Sequence, residues 1–151
     1  MLCVNNYTQK YIDECRSKVD LQLSTYKNLL TTARKQVGAN EAILNSAIEA
    51  FEPVFFNNLV LILDNYFCHR SRTMEGKDGN PLNEVRVLCN SMMNGNHKMC
   101  ADKTIKLDSA KSILKYKVGD EIKLNEAAFV LIYKAFLLSL KVDIYKPTRT
   151  D

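Results

Sequence analysis

The sequence predicts a mainly α-helical fold: three to four helices around a buried central helix, with a small two- or three-stranded antiparallel β element before the last helix. Three observations carry this expectation. Apolar residues recur at helical spacing over most of the chain. Glycine and proline concentrate at a few breaks. One stretch near residues 104–124 changes to a period of two, the mark of half-buried strands. With 151 residues and no internal repeat or linker, the chain reads as one domain, 1–151.

From Tyr7 to about Lys35, the residues Tyr11, Cys15, Val19, Leu23, Tyr26 and Leu30 form one apolar stripe among polar neighbours. This first helix, about residues 7–36, is long enough to extend beyond the domain as an oligomerisation arm. Val37-Gly38-Ala39-Asn40 breaks it, glycine suiting a helix end and asparagine the next start. A second helix is expected from Glu41 to about Arg70. Pro53 within it removes one backbone donor and predicts a kink or a split. Between Val54 and Phe67 apolar residues fall on nearly every face, which predicts burial all round.

Glu75-Gly76-Lys77-Asp78-Gly79-Asn80-Pro81 is the clearest punctuation in the chain. Asn followed by Pro predicts an N-cap with proline at the first helical position, and a third helix from Pro81 to about Met93. After Asn94-Gly95-Asn96, Ile105 and Leu107, then Leu114, Tyr116 and Val118, then Ile122 and Leu124 alternate with polar residues. Asn125 is placed to cap a last helix, Glu126 to about Val142, and residues 146–151 read as a frayed tail.

Charge is unevenly divided. Residues 1–75 carry eight Lys/Arg and eight Asp/Glu, whereas residues 76–151 carry thirteen against nine. That excess points either to an anionic partner or to a solvated lysine face. Five cysteines at irregular spacing form no disulfide framework, and no leader pattern opens the chain, so a reducing, cytoplasmic location is expected. The apolar runs Val54–Phe67 and Ala127–Leu140 each fall short of the ~20 residues of a membrane span, so no membrane partner is expected.

Candidate chemistry centres on the third break. His69 and Arg72 share a helical face, and Lys77 lies near a helix start whose free N–H groups would attract an anion. Arg70, Arg72, Lys77, Asn80 and Arg86 are therefore the candidate anion-binding residues. Arg86 has an alternative use, pairing with Glu75 or Asp78. His69 is the one plausible catalytic base. A second candidate is the lysine row Lys106, Lys115, Lys117 and Lys123, which could contact nucleic-acid phosphates or simply protect strand edges. Cys89, His97 and Cys100 match no usual zinc spacing, so neither a metal nor a cofactor is expected. Asn57, Asp64 and Arg72 form a polar stripe on an apolar helix, either an internal network or a cleft lining.

The stretch from Phe55 through Asp64, His69-Arg70, the string Gly-Lys-Asp-Gly-Asn-Pro-Leu-Asn-Glu-Val-Arg at residues 76–86, Cys89-Asn90-Ser91, residues 101–106 and residues 119–122 resembles a family of small bacterial proteins with no assigned activity. The resemblance covers about the last two thirds of the chain. It implies a bacterial or phage origin and brings no chemistry with it. Its departure lies in the last helix, where Leu137-Leu138-Ser139-Leu140 replaces the acidic ending expected of the family.

Three functional readings follow. The first is a non-catalytic binding or regulatory protein recognising an anionic small ligand or a partner protein. The others are an enzyme using His69 and Arg72 on a phosphorylated or nucleotide substrate, and a nucleic-acid accessory protein. Self-association as a homodimer is expected through the flank of the last helix that carries Val130, Leu131, Leu137 and Leu138.

Overall fold

The structure, a computed structural model, describes residues 7–67 and 75–140. Among these residues it is mainly helical, with four α-helices: α1, Gln9–Gln36; α2, Glu41–Tyr66; α3, Pro81–Asn94; and α4, Glu126–Ser139. His69, Arg70 and Arg72, with Cys3, Cys68 and the tail 146–151, lie outside the described residues.

Thr8 caps α1 by accepting the Tyr11 N–H at 3.2 Å. The stripe of α1 turns inward as its spacing predicts, with Cys15, Val19 and Tyr26 buried. Two tyrosines pin the start of α1 to the end of α2: Tyr7 donates to the Phe67 carbonyl at 2.7 Å, and Tyr11 donates to that of Tyr66. Gly38, at φ +54°, takes the left-handed turn after α1 that a side chain would resist, and a 3-10 turn over Gly38–Asn40 leads into α2. The two helices thus form a hairpin whose tip is Val37–Asn40.

Helix α2 runs on through Pro53, so of the expected kink or split the split is absent. The carbonyl of Glu49, which loses its donor there, lies on an exposed turn where water can serve it. Nor is the helix buried all round. Phe56, Leu59, Val60 and Leu63 are buried, but Val54, Asn58 and Asn65 on other faces are exposed. Counted with its preceding turn as Gly38–Tyr66, this helix is long and apolar enough to cross a membrane by length and composition, and 28% of its most apolar window is buried. Those two properties do not separate a spanning helix from a core helix.

The core lies where the buried face of α2 meets α3 and α4. Phe56 packs on Phe129 with ring centroids 5.7 Å apart, and Phe67 on Phe136 at 5.5 Å. Val85 and Leu88 of α3 fill the space beside them. Asn125 caps α4 through the Ala128 N–H at 2.9 Å.

The predicted β element is also corrected. Among the described residues there is no β-strand, and Lys98 and Glu121 form an isolated antiparallel bridge. Several of the backbone groups that a ladder would pair are taken by side chains on the helices, and others by loop side chains such as Ser112, Tyr116 and Asp120. Asn57 of α2 donates to the Ile122 carbonyl at 2.8 Å and accepts the Leu124 N–H at 3.1 Å. Glu84 of α3 accepts the N–H groups of Ile113 and Leu114, each at 2.8 Å. Lys115, at φ +59°, turns the chain out of the extended conformation inside the would-be strand 114–118. Alternation survives in part without a sheet: Ile105, Ile122 and Leu124 are buried, while Lys106, Lys115, Lys117 and Lys123 are exposed, but Val118, expected on the inward side, is exposed as well.

Candidate functional site

The loop before α3 is the first place to look for an anion, and it is closed to one at its helix start. Asn80 accepts the N–H groups of Leu82 and Asn83 at 3.0 and 3.2 Å, as an N-cap does. Its amide nitrogen donates to the Glu75 carbonyl at 2.6 Å and to Asp78 Oδ1 at 2.8 Å. The Gly79 N–H goes to Asn83 Oδ1, the Glu84 N–H to the Asn80 carbonyl, and Pro81 has none. The free donors expected at this helix start are therefore already used, and that expectation is corrected. Gly79, at φ +85°, is packed so closely that a Cβ would sit 2.5 Å from the Lys106 carbonyl.

Of the candidate anion ligands, Lys77 is exposed and its carbonyl accepts the Lys106 N–H at 3.0 Å. Asn80 is half-buried and committed to the cap. Arg86 is half-buried beside Asp102. The Asp102 carboxylate accepts from the backbone of Thr104 and Ile105, and these bonds, helped by the Arg86 charge, hold it below the usual carboxylate range. The string at residues 76–86 thus folds as a loop and cap that bonds largely to itself, with Lys77 and Glu84 also holding the backbone of Lys106, Ile113 and Leu114. Burial pushes the Glu84 carboxyl up, against the pull of its two N–H donors.

The other candidate sets do not converge. Cys89 is buried with its thiol toward the Val60 carbonyl at 3.7 Å, whereas His97 and Cys100 are exposed. Among the described residues no group of three or more His, Cys, Asp and Glu could hold a metal ion. From the polar stripe, Asn57 is an internal clamp. Lys123 of the lysine row is paired with Glu121 at 3.2 Å. A groove of about 390 Å³ beside α2, with Glu49, Asn58 and His97 at its edge, includes that pair in its wall.

What the structure exposes instead is carbon. Between α1 and α2 lies a groove of about 300 Å³ lined by Leu21, Gln22, Thr25, Tyr26, Leu29, Phe51 and Phe55. The rings of Tyr26, Phe51 and Phe55 stack at 5.5 to 6.1 Å, and Phe56 closes the stack from below, edge-on to Tyr26 at 5.1 Å. Tyr26 is held there by its hydroxyl, which donates to Glu52 at 2.5 Å. Burial, with this carboxylate, pushes the phenol well above its ordinary range. At the rim Leu21 is 65% exposed, Leu29 62% and Phe51 45%, and on the adjoining face of α2 Ile43 is 70% and Val54 63% exposed.

The sequence contained the signal for this face. Leu21 and Leu29 are eight residues apart, two turns on one side of α1, and both lie off the inward stripe. The last helix also exposes apolar residues, Leu131 and Leu138, with Lys134 exposed between them. Compared with known proteins, the chain matches no family model, no curated protein and no solved structure.

Proposed function

We propose that this chain is a non-catalytic binding protein whose ligand is another protein chain, docked on the outer face of the α1–α2 hairpin. The observation that supports this reading is the rim Leu21, Leu29 and Phe51 around a groove with almost no polar wall. Large side chains left in water on one contiguous face mark interaction surfaces. Aromatic rings already stacked and held by a buried hydroxyl give a partner a rigid platform, so little ordering is lost on docking. The small-anion reading loses support at the α3 start, where every backbone donor is occupied.

A photo-reactive amino acid placed at position 29 in the living cell tests the reading, with the same probe at exposed Lys111 as the control. The expected result is discrete protein adducts from position 29 and none from position 111. Equal labelling from both positions, or none from position 29, would overturn it.

A further inference from the structure

We infer that the occupant of this face is a second copy of the chain, docked about a two-fold axis that runs parallel to the hairpin helices. The inference rests on the reading that the hairpin is the docking element, and charge carries it further. Helix α1 holds six Lys/Arg against three Asp/Glu, whereas α2 holds four Asp/Glu and no Lys or Arg. Among the described residues no ion pair joins the two helices: the pairs of α1 run along itself, at Lys10–Glu14 and Arg16–Asp20, or to α4, at Lys27–Glu126. The hairpin is therefore a basic helix beside an acidic one, with an apolar groove between them.

Two such hairpins can meet face to face with two-fold symmetry in two ways. An axis across the helices lays α1 over α1 and α2 over α2, like charge on like. An axis along the helices lays α1 over the partner's α2, unlike charge on unlike, and makes neighbouring helices antiparallel. The second arrangement closes a four-helix bundle over the grooves and brings both hairpin tips to the same end. Arg34 and Lys35 of one copy then stand level with Glu41 of the other. Among the described residues Arg34 donates to Asn45 at 3.1 Å, and neither Arg34 nor Glu41 makes an ion pair. Burial of the leucines and Phe51 supplies the affinity, and the charges select the orientation.

The flank of α4 is the weaker surface for self-association, because exposed Lys134 interrupts Leu131 and Leu138. The alternative occupants, an amphipathic helix of another protein or a lipid surface, are outcomes of the test.

Sedimentation velocity on the full chain across a hundredfold concentration range reads the mass directly. The expected species is a dimer of twice 17.2 kDa. Leu29→Glu, at an exposed position, should weaken association about 30-fold or more with an unchanged helical spectrum, the effect of losing a central interface residue. Leu138→Glu should leave the dimer intact. Glu41→Lys should weaken it, and adding Arg34→Glu and Lys35→Glu should restore it. Ala39→Cys, at the tip, should cross-link the two copies under mild oxidation. A monomer at all concentrations, a dimer lost with Leu138→Glu but kept with Leu29→Glu, or a dimer that Ala39→Cys fails to cross-link each overturns the proposal. So does a monomer that floats with anionic phospholipid vesicles. If a monomeric chain still gives a discrete adduct of different mass from position 29, the second copy is wrong and the protein-binding reading stands. If there is no adduct at all, both fail.

Discussion

Glu84 Oε2 accepts the N–H of Ile113 at 2.8 Å from a side chain that is 2% exposed, and its other oxygen holds the next N–H, that of Leu114. One carboxylate on α3 thus fixes a stretch of chain 29 and 30 residues further on. Glu84→Ala removes the acceptor for two amides at once. An unpaired buried donor costs about 1–3 kcal/mol, so a loss of roughly 3 kcal/mol is expected in urea unfolding, with faster amide exchange confined to residues near 113 and 114.

The same group sets a pH dependence. Burial raises its folded-state pKa above the unfolded value of about 4.5, so the folded chain takes up this proton at higher pH than the unfolded one. Its contribution to stability is then greatest below the unfolded pKa and falls as pH rises through the folded one. The stability of the wild type minus that of Glu84→Gln should therefore shrink from pH 4 to pH 7. A difference that grows with pH would show the two N–H donors outweighing burial.

Asn57 does by amide what Glu84 does by charge, gripping a carbonyl and an N–H two residues apart, as a neighbouring strand would. Asn57→Asp keeps the acceptor but sets a carboxylate against the Ile122 carbonyl. It should cost more than Asn57→Ala, which itself leaves two buried groups unpaired and should cost roughly 3 kcal/mol by thermal or urea unfolding.

Much of this architecture was legible because it is local. The caps at Asn80 and Asn125, the turn at Gly38 and the inward stripe of α1 follow from residues within a few positions of one another. The clamps were not legible, because Asn57 and its partners are 65 and 67 residues apart. Alternation in residues 104–124 reports which side chains face the core, not which groups take the backbone hydrogen bonds, so an irregular chain held by side chains read as a sheet. At the candidate site, Gly76–Arg86 stood out by its polar residues. The structure shows Asn80 and Asn83 using that polarity on the loop's own backbone, and Glu84 on the backbone of Ile113 and Leu114. Leu21 and Leu29 had a readable two-turn spacing that an inward-facing stripe had no use for.

The loop before α3 should respond sharply to small changes. Asn80→Ala loses the cap and the bond to the Glu75 carbonyl, and about 2 kcal/mol is expected, the upper end for a cap. Gly79→Ala meets both a positive φ and the Lys106 carbonyl, so a loss of about 1–3 kcal/mol is expected. Both are read by equilibrium unfolding. A neutral result at Gly79 would mean that the loop and residues 106–107 do not pack as described.

The core offers a contrast within one helix. Phe136, fully buried against Phe67, should cost about 3–5 kcal/mol on replacement by Ala, whereas Leu138→Ala, two residues on at an 88% exposed position, should change stability by less than about 0.5 kcal/mol. Paired thermal melts check the difference.

Because Asn57 and Glu84 hold main-chain atoms, their grip is indifferent to what side chains the held segment carries. Every residue except proline supplies the N–H groups used at positions 113, 114 and 124. The outward side chains at Lys117 and Lys123 can therefore change in charge or size while the chain keeps its path, provided that Ser112, Tyr116 and Asp120 keep the N–H groups they accept and Ile122 and Leu124 stay in the core. Selection, or a designer, can vary those outward positions so long as the groups that hold the main chain stay unchanged.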